Sequence, residues 1–334
     1  MTGEIEQLEH DAVADESRSL TFRSRSTVYV VAGILIVTSI VLAALRVGEQ
    51  AGRLSDWQAL ALGATQGFSE LLPISSSGHL ILVPWLADWK YLEAHPDFNK
   101  TFDVALHLGT LVAVVAYFWA DVLIYLRAFI KAVGARAIRT GEERLAVGIA
   151  IATVPAAIAG ALGESAIEDH LGQPWQICIS LAFFAILLYV ADRQPEEATL
   201  NDLGLKRSIL IGVSQILALM PGVSRSGITI TTGRFSRLNR DASARFSFLL
   251  LIPIVLGAVI YKGLKHVVLE PLPAGSTGPF IVGTIAAAGV GLIAIDVLLG
   301  YLRKHNYTPF VVYRLLLAVA IAVIILSGWR GASF

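Results

Sequence analysis

The chain has 334 residues, of which 55% are hydrophobic and 16% are charged, and its formal net charge is zero. Ordinary soluble domains carry about 25% charged residues, so this composition excludes a typical soluble protein. The balanced charge gives no bias toward nucleic acid, and none is expected as a partner. A mean hydropathy of +0.67, with several runs near the roughly 20 apolar residues that cross a bilayer, predicts an all-α polytopic membrane protein.

The first 50 residues contain a polar segment followed by one apolar run. Residues 1–26 are polar and mixed in charge, and they are predicted to form a cytoplasmic tail. Residues 27–46 predict an extra N-terminal transmembrane helix. A cleaved signal peptide is the alternative, and the long acidic leader without a clear small-residue cleavage site favours a retained helix.

Apolar runs further along the chain predict six more spanning helices. Two other apolar segments, 55–88 and 206–238, are interrupted by Pro, Gly and Ser at their centres, which disfavours a continuous helix. Non-helical backbone persists at membrane depth only where protein buries it or where it lines a watery cavity. We therefore predict two re-entrant helix–loop–helix hairpins. The six predicted spans lie at about 101–120, 144–163, 175–191, 244–263, 279–300 and 308–328.

The two interrupted segments are repeats of one another. When Gly63 is aligned with Gly212 without a gap, Gln66 falls on Gln215, Ser75 on Ser224, Ser77 on Ser226 and Gly78 on Gly227. Each hairpin precedes three spans, so the second copy would enter the membrane from the opposite face. This pattern predicts an inverted-topology repeat of residues 55–191 and 206–328, an architecture that places a binding site near the bilayer midplane.

The distribution of basic residues orients this layout. If the N-terminal tail is cytoplasmic, most of the 26 Lys and Arg residues fall in cytoplasmic segments. They include the basic run 127–144, which is interpreted as a solvated face. The arrangement satisfies the positive-inside rule. The first hairpin then opens outward and the second inward, and their tips meet near the middle of the membrane.

The hairpin tips carry ionisable side chains, namely Glu70 and His79 in the first and Arg225 in the second. Such groups are costly inside a membrane and indicate function. A guanidinium fork, hydroxyls and the N-termini of half-helices suit the oxygens of a phosphate ester. Glu70 could hold a divalent cation or act as a base, and His79 could carry a proton. Ser75 or Ser76 would be the nucleophile if the acid or the imidazole lies within hydrogen-bond reach.

Four polar residues lie in spans outside the hairpins. Asp103 and His107 are four residues apart, so they share a helix face. They either support the site or form a separate polar pair. Asp296 and Arg314 are predicted to form an intramembrane ion pair that holds the last two spans together.

The segment QGFSELLPISSSGH (66–79), together with PGVSRSG (221–227), resembles the paired signature of the bacterial undecaprenyl-diphosphate phosphatase family of the bacitracin-resistance type. TFDVALHLGTLVAV (101–114) and ARFSFLLLIP (244–253) are similar to other segments of that family. The resemblance covers about 55–328. It implies an enzyme of the bacterial cytoplasmic membrane that removes the terminal phosphate of C55 polyprenyl diphosphate, which recycles the lipid carrier for cell-wall synthesis.

The resemblance also implies a set of functional residues and a site open to the extracytoplasmic side. It implies Mg²⁺ or Ca²⁺ held by Glu70 and Gln66, although the family motif carries a second Glu where this chain has Gln66. Expected partners are the lipid substrate and membrane lipids. Whether the protein forms a homodimer is left undecided by the sequence. The implied catalytic residues are Glu70, Ser76, His79 and Arg225, and the implied substrate-binding residues are Gln66, Ser75, Ser224, Ser226 and Thr229. Ser77 and Ser226 could instead only satisfy backbone groups in the loops.

Two other functions are alternatives to the phosphatase. A polyprenyl-phosphate transporter or flippase would use the same broken helices, but it needs no base and nucleophile beside its anion site. The acid-phosphatase-like lipid phosphatases share fragments similar to 77–79 and to Ser224-Arg225. Their pattern requires a His six residues beyond the Arg, where this chain has Thr231. That superfamily is therefore excluded.

Overall fold

The computed structural model describes residues 25–46, 53–263 and 276–333. Within these ranges the chain is mostly helical and has no β-strand. Of the predicted tail 1–26, residues 1–24 lie outside the described residues. The helices, labelled in chain order, are α1 (Arg25–Leu45), α2 (Asp56–Leu71), α3 (Ser76–Ala87), α4 (Lys90–Ala94), α5 (Pro96–Tyr117), α6 (Trp119–Ala135), α7 (Gly141–His170), α8 (Pro174–Asp192), α9 (Leu205–Ser214), α10 (Arg225–Phe235), α11 (Arg240–Gly263), α12 (Thr277–Leu302) and α13 (Thr308–Leu326).

Seven helices in the described part of the chain are long and apolar enough to cross a membrane. They are α1, α5, α7, α8, α11, α12 and α13. Each coincides with one of the predicted spans, including the extra N-terminal helix. The prediction of an all-α membrane protein with several spans is confirmed at this level.

Helix α6 is an element that the sequence analysis did not predict. It follows α5 after Phe118 alone and continues into the basic run 127–144. Its buried face is formed by small residues, including Ala128 and Ala132, and it packs against α7. Arg127 and Lys131 are exposed, as expected for a solvated face. A hydropathy pattern did not reveal this helix, because its few small buried residues lie between charged ones.

The two interruptions predicted in 55–88 and 206–238 are present. The first break, residues 72–75, separates α2 from α3. The second break, residues 220–224, follows a 3₁₀-helix that continues α9 and precedes α10. Pro73 in the first break, and Pro221 with Gly222 in the second, explain why the helix stops there.

Helix α12 is the most buried of the seven long helices, and glycines bring other helices close to it. A Cβ added at Gly63 or Gly67 of α2 would lie 2.3 or 2.6 Å from a carbonyl oxygen of α12. A Cβ added at Gly109 of α5 would lie 2.3 Å from the Thr284 carbonyl oxygen. Small residues permit such close backbone packing in membrane proteins. The glycines therefore fix α2 and α5 against α12.

Helix α1 also packs against α12. The hydroxyl of Ser39 donates a hydrogen bond to the Val282 carbonyl (2.8 Å). The carbonyl of Ala32 lies 3.1 Å from where a Cβ at Gly289 would stand. The N-terminal helix is thus docked on the bundle through specific contacts along its length.

The predicted ion pair between Asp296 and Arg314 is wrong. Asp296 instead accepts hydrogen bonds from Tyr29 (3.1 Å) and Tyr117 (3.2 Å), and it forms an ion pair with Arg25 (3.4 Å). Tyr29 and Arg25 belong to α1, so Asp296 anchors the N-terminal helix. Arg314 lies at the two breaks, where backbone carbonyls are its partners.

We expect Gly67→Ala to lower the melting temperature of the purified protein in detergent. The added methyl group must push α2 away from α12, and such overpacking costs about 1–3 kcal/mol. Gly134→Ala is the matched control, because no atom of the described residues lies within 4 Å of its added Cβ. Alanine also favours a helix over glycine. Equal melting temperatures for the two variants would contradict the close packing.

Candidate active site

Each break ends in a serine that caps the next helix. Ser75 has φ 78° and accepts a hydrogen bond from a backbone N–H in the first turn of α3 (3.3 Å). Ser224 has φ 74° and accepts the equivalent bond in α10 (3.0 Å). Positive φ is rare for residues other than glycine and often occurs at functional sites. The two caps place Ser76 and Arg225 as the first residues of α3 and α10.

Glu70, in the last turn of α2, is contacted by the side chains that follow both breaks. It is buried, with 5% of its surface exposed. Arg225 donates to Oε1 through Nη2 (3.1 Å) and Nε (3.3 Å). The hydroxyl of Ser76 donates to Oε2, and the amide nitrogen of Gln66 lies 3.4 Å from the same oxygen. One carboxylate therefore joins a hydroxyl from the first break to a guanidinium from the second.

His107 of α5 also faces Glu70. Its Nε2 lies 3.6 Å from Glu70 Oε2, and its Nδ1 lies 2.7 Å from the carbonyl oxygen of Asp103. Sequence analysis left open whether this histidine supports the site. The structure places it beside the central carboxylate. Its position in a predicted span next to an acidic residue was the only signal in the sequence.

His79 makes two contacts, neither of them to the central carboxylate. Its Nδ1 lies 2.6 Å from the carbonyl oxygen of Ser75, and its Nε2 lies 2.6 Å from the Tyr313 hydroxyl. A carbonyl can only accept, so Nδ1 carries hydrogen and Nε2 accepts from Tyr313 in the neutral ring. The group within reach of the Ser76 hydroxyl is thus Glu70 and not His79.

A serine of α11 holds the second break in place. The carbonyl of Ser247 accepts from Arg225 Nη1 (2.9 Å), and its hydroxyl lies 2.8 Å from Thr229 Oγ1. The hydroxyl of Ser226 donates to the carbonyl of Leu72 in the first break (3.0 Å). These bonds orient Arg225 and tie the breaks together. Ser247 was missed by the sequence analysis, because a lone serine in an apolar span carries no distinctive signal.

Arg314 of α13 joins the two breaks. It is fully buried and donates to the carbonyl of Pro73 in the first break (3.3 Å). It also donates to the carbonyls of Gly222 (3.1 Å) and Val223 (3.0 Å) in the second break. Buried backbone carbonyls need hydrogen-bond donors from the protein, because an unpaired one costs free energy. Arg314 supplies those partners, which explains why it does not pair with Asp296.

The two aligned halves differ in their polar side chains. Leu219 occupies the position aligned with Glu70, so the second half supplies no carboxylate there. Gln215, aligned with Gln66, is buried, and neither polar atom of its side chain has a hydrogen-bond partner among the residues that the structure covers. The two breaks therefore have a similar backbone conformation but different polar side chains around them.

Comparison with known proteins places this site in a family. The family model described as "Bacitracin resistance protein BacA" matches residues 59–320. The chain belongs to the BacA family. The matched range includes both breaks, Glu70 and Arg314, and it leaves out α1.

Members of the BacA family that resemble this chain carry the name undecaprenyl-diphosphatase. The relative from Moorella thermoacetica is 44% identical over 269 residues, which is 80% of this chain and 97% of the relative. The relative from Pelotomaculum thermopropionicum is 42% identical over 279 residues, or 83% of this chain and 99% of the relative. The relative from Pelobacter propionicus is 43% identical over 275 residues, or 82% and 98%.

We expect Arg314→Met to destabilise the protein strongly. The substitution leaves three buried carbonyls without donors, and each unsatisfied group costs about 1–3 kcal/mol. Thermal unfolding in detergent measures the effect. Arg303→Met, at an exposed arginine just beyond α12, is the control and should change the melting temperature little. An unchanged melting temperature in Arg314→Met would show that the breaks are held by other contacts.

Proposed function

We propose that this protein is an undecaprenyl-diphosphatase of a bacterial cytoplasmic membrane. It would hydrolyse the terminal phosphate of C55 polyprenyl diphosphate and release undecaprenyl phosphate and inorganic phosphate. The observation that carries the proposal is the shared carboxylate of Glu70, which accepts from the Ser76 hydroxyl and from Arg225. Membership of the BacA family and the names of the relatives support the same substrate.

The contacts of Glu70 support the following proposed roles in phosphoryl transfer. Glu70 would take the proton of Ser76 as its oxygen attacks the terminal phosphorus, and undecaprenyl phosphate would leave. Water would then hydrolyse the phosphoserine and regenerate the hydroxyl. Arg225 would stabilise the negative charge on the transferred phosphate, which is the main requirement of this chemistry. The N-termini of α3 and α10 would add backbone N–H groups that favour an anion.

His79 would carry a proton in this scheme. Its Nε2 meets the Tyr313 hydroxyl, so it can accept a proton from elsewhere only when that contact opens. Hydrogen bonds of free enzymes often rearrange when the substrate binds. Gln66, Ser75, Ser224, Ser226 and Thr229 remain proposed substrate-binding residues.

A divalent cation, Mg²⁺ or Ca²⁺, is the proposed cofactor, held by Glu70 and Gln66. Gln66 is fully buried, and its Oε1 has no hydrogen-bond partner among the described residues. Carboxylate and amide oxygens are ligands that both cations take. The described residues contain no cluster of three or more His, Cys, Asp or Glu that could hold a metal. Substrate oxygens and water would therefore complete the coordination, and the bound cation would neutralise phosphate charge.

The membrane arrangement is part of the proposal. Helices α3 and α10 have 12 and 11 residues, too few for the roughly 20 that cross a bilayer. Their matched serine caps and positive φ values support an inverted repeat of two re-entrant hairpins, within residues 55–191 and 206–328. The distribution of basic residues supports a site that opens to the extracytoplasmic side. A homodimer stays a prediction.

Phosphate release by the purified protein in detergent tests the function. We expect turnover of undecaprenyl diphosphate with Mg²⁺ or Ca²⁺ and its loss with a chelator. Ser76→Ala and Glu70→Gln should lose a factor of about 10² or more, because nucleophile or base is removed. Arg225→Lys should lose a factor of about 10²–10³, because the fork that stabilises charge is gone.

Exposed residues of the same type provide controls for these variants. Glu142→Gln and Arg303→Lys should keep wild-type turnover, because both side chains are exposed outside the site. If folded wild-type protein binds the lipid but releases no phosphate with either cation, the phosphatase is refuted. The alternative would then be a polyprenyl-phosphate flippase, which a lipid-flipping assay in vesicles measures.

A further inference from the structure

The imidazole of His107 faces the carboxylate of Glu70. Its Nδ1 lies 2.7 Å from the Asp103 carbonyl oxygen, which can only accept, so this nitrogen carries the hydrogen. In the neutral ring, Nε2 then has a lone pair and no hydrogen. This nitrogen lies 3.6 Å from Oε2 of Glu70, which is also an electron-pair donor. Two electron-pair donors that face each other repel, and a cation bound to both atoms removes that repulsion.

Gln66 brings a third candidate ligand atom, its amide oxygen, to the same place. Its side chain is fully buried one helical turn before Glu70, and its Nε2 lies 3.4 Å from Glu70 Oε2. Its Oε1 lacks a hydrogen-bond partner within the described ranges. A half-turn of the amide exchanges its oxygen and nitrogen with little change in shape. That rotation would direct the amide oxygen toward the same point as the carboxylate.

We propose that His107 Nε2, Glu70 Oε2 and the Gln66 amide oxygen are three ligands of one divalent cation. Ligand atoms about 2.0–2.4 Å from one cation lie roughly 3–4 Å apart, which agrees with the 3.6 Å between Nε2 and Oε2. Histidine ligands of metals commonly donate their other ring N–H to a backbone carbonyl, as His107 does. The imidazole supplies a ligand where Gln66 offers no second carboxylate.

The remaining contacts of Glu70 are compatible with this assignment. Arg225 binds Oε1, so it leaves Oε2 for a cation. The Ser76 hydroxyl, which donates to Oε2, lies beside the proposed cation and in position for attack. About 31% of the His107 side chain is exposed, which gives a cation a route to the site.

The nitrogen ligand changes which cation the site prefers. Mg²⁺ and Ca²⁺ take mainly oxygen ligands, whereas imidazole suits transition metals. Mn²⁺ accepts carboxylate, amide and imidazole ligands together. We therefore expect this chain to bind Mn²⁺ more tightly than Mg²⁺ or Ca²⁺, by roughly tenfold or more. The role of the cation in catalysis rests on the proposed function, but its binding can be measured without substrate.

Electron paramagnetic resonance of Mn²⁺ added to the full-length protein in detergent tests the site. Wild-type protein should bind one Mn²⁺ whose pulsed spectrum contains nitrogen coupling. Labelling with ¹⁵N-histidine should replace the ¹⁴N coupling by ¹⁵N coupling. His107→Gln should lose this coupling and weaken binding by roughly tenfold or more. Gln66→Glu should tighten binding and keep the coupling, because a carboxylate replaces the amide.

His305→Gln is the matched control. His305 Nδ1 also lies near the carbonyl four residues earlier (3.1 Å), but the side chain is exposed beyond the end of α12. This variant should keep both Mn²⁺ affinity and nitrogen coupling. Absence of histidine coupling in saturated wild-type protein, or its persistence in His107→Gln, would overturn the proposal. Intact Mn²⁺ binding without any phosphate release would refute the phosphatase and leave the cation site standing.

Discussion

A buried backbone that leaves its helix must find protein partners for its carbonyl groups, and here Arg314 provides them. One buried guanidinium bonds to Pro73 of the first break and to Gly222 and Val223 of the second. The bond from the Ser226 hydroxyl to the Leu72 carbonyl joins the same two breaks, so these two side chains together hold them at a fixed separation. Since Ser76 and Arg225 start the helices after the breaks, their meeting at Glu70 depends on an arginine of the last helix.

The other half of the geometry comes from close helix packing. Glu70 and His107 belong to different helices, and both helices approach α12 through glycines. A site placed on tightly packed helices holds its groups more accurately than one placed on loops. The breaks therefore provide serine caps with positive φ angles, while α2 and α5 provide rigid positions for the acid and the imidazole.

The sequence predicted the elements better than their contacts. Hydropathy located the seven spans, and Pro73 and Pro221 with their neighbouring glycines and serines located both breaks. Helix α6 was missed because its buried stripe of small residues is too narrow for a hydropathy signal. The Asp296–Arg314 pair failed because the rotation of α12 and α13 decides which side chains meet, and a sequence does not contain that rotation. Backbone carbonyls, the true partners of Arg314, carry no sequence signal.

The same limit applies to the chemistry of the site. The alignment of the two halves brought Glu70 and Arg225 toward one place, because both lie near breaks with matching residues. It could not include His107 or Ser247, which lie in spans outside the aligned hairpins. Both reach the site only through helix packing. Residues close to the two matching breaks are thus predictable, and residues that reach the site from neighbouring helices require the structure.

The two breaks share their serine caps and positive φ angles but differ in the side chains around them. Serine caps at 75 and 224 start the helix after each break in a similar way, a feature that does not distinguish a carrier from an enzyme. The first helical residue is Ser76 in one half and Arg225 in the other, and the carboxylate of Glu70 has Leu219 at the aligned position of the second half. A carrier gains nothing from a carboxylate bonded to a serine hydroxyl, whereas a phosphatase needs that contact to activate its nucleophile. The asymmetry is therefore the feature that favours hydrolysis over transport.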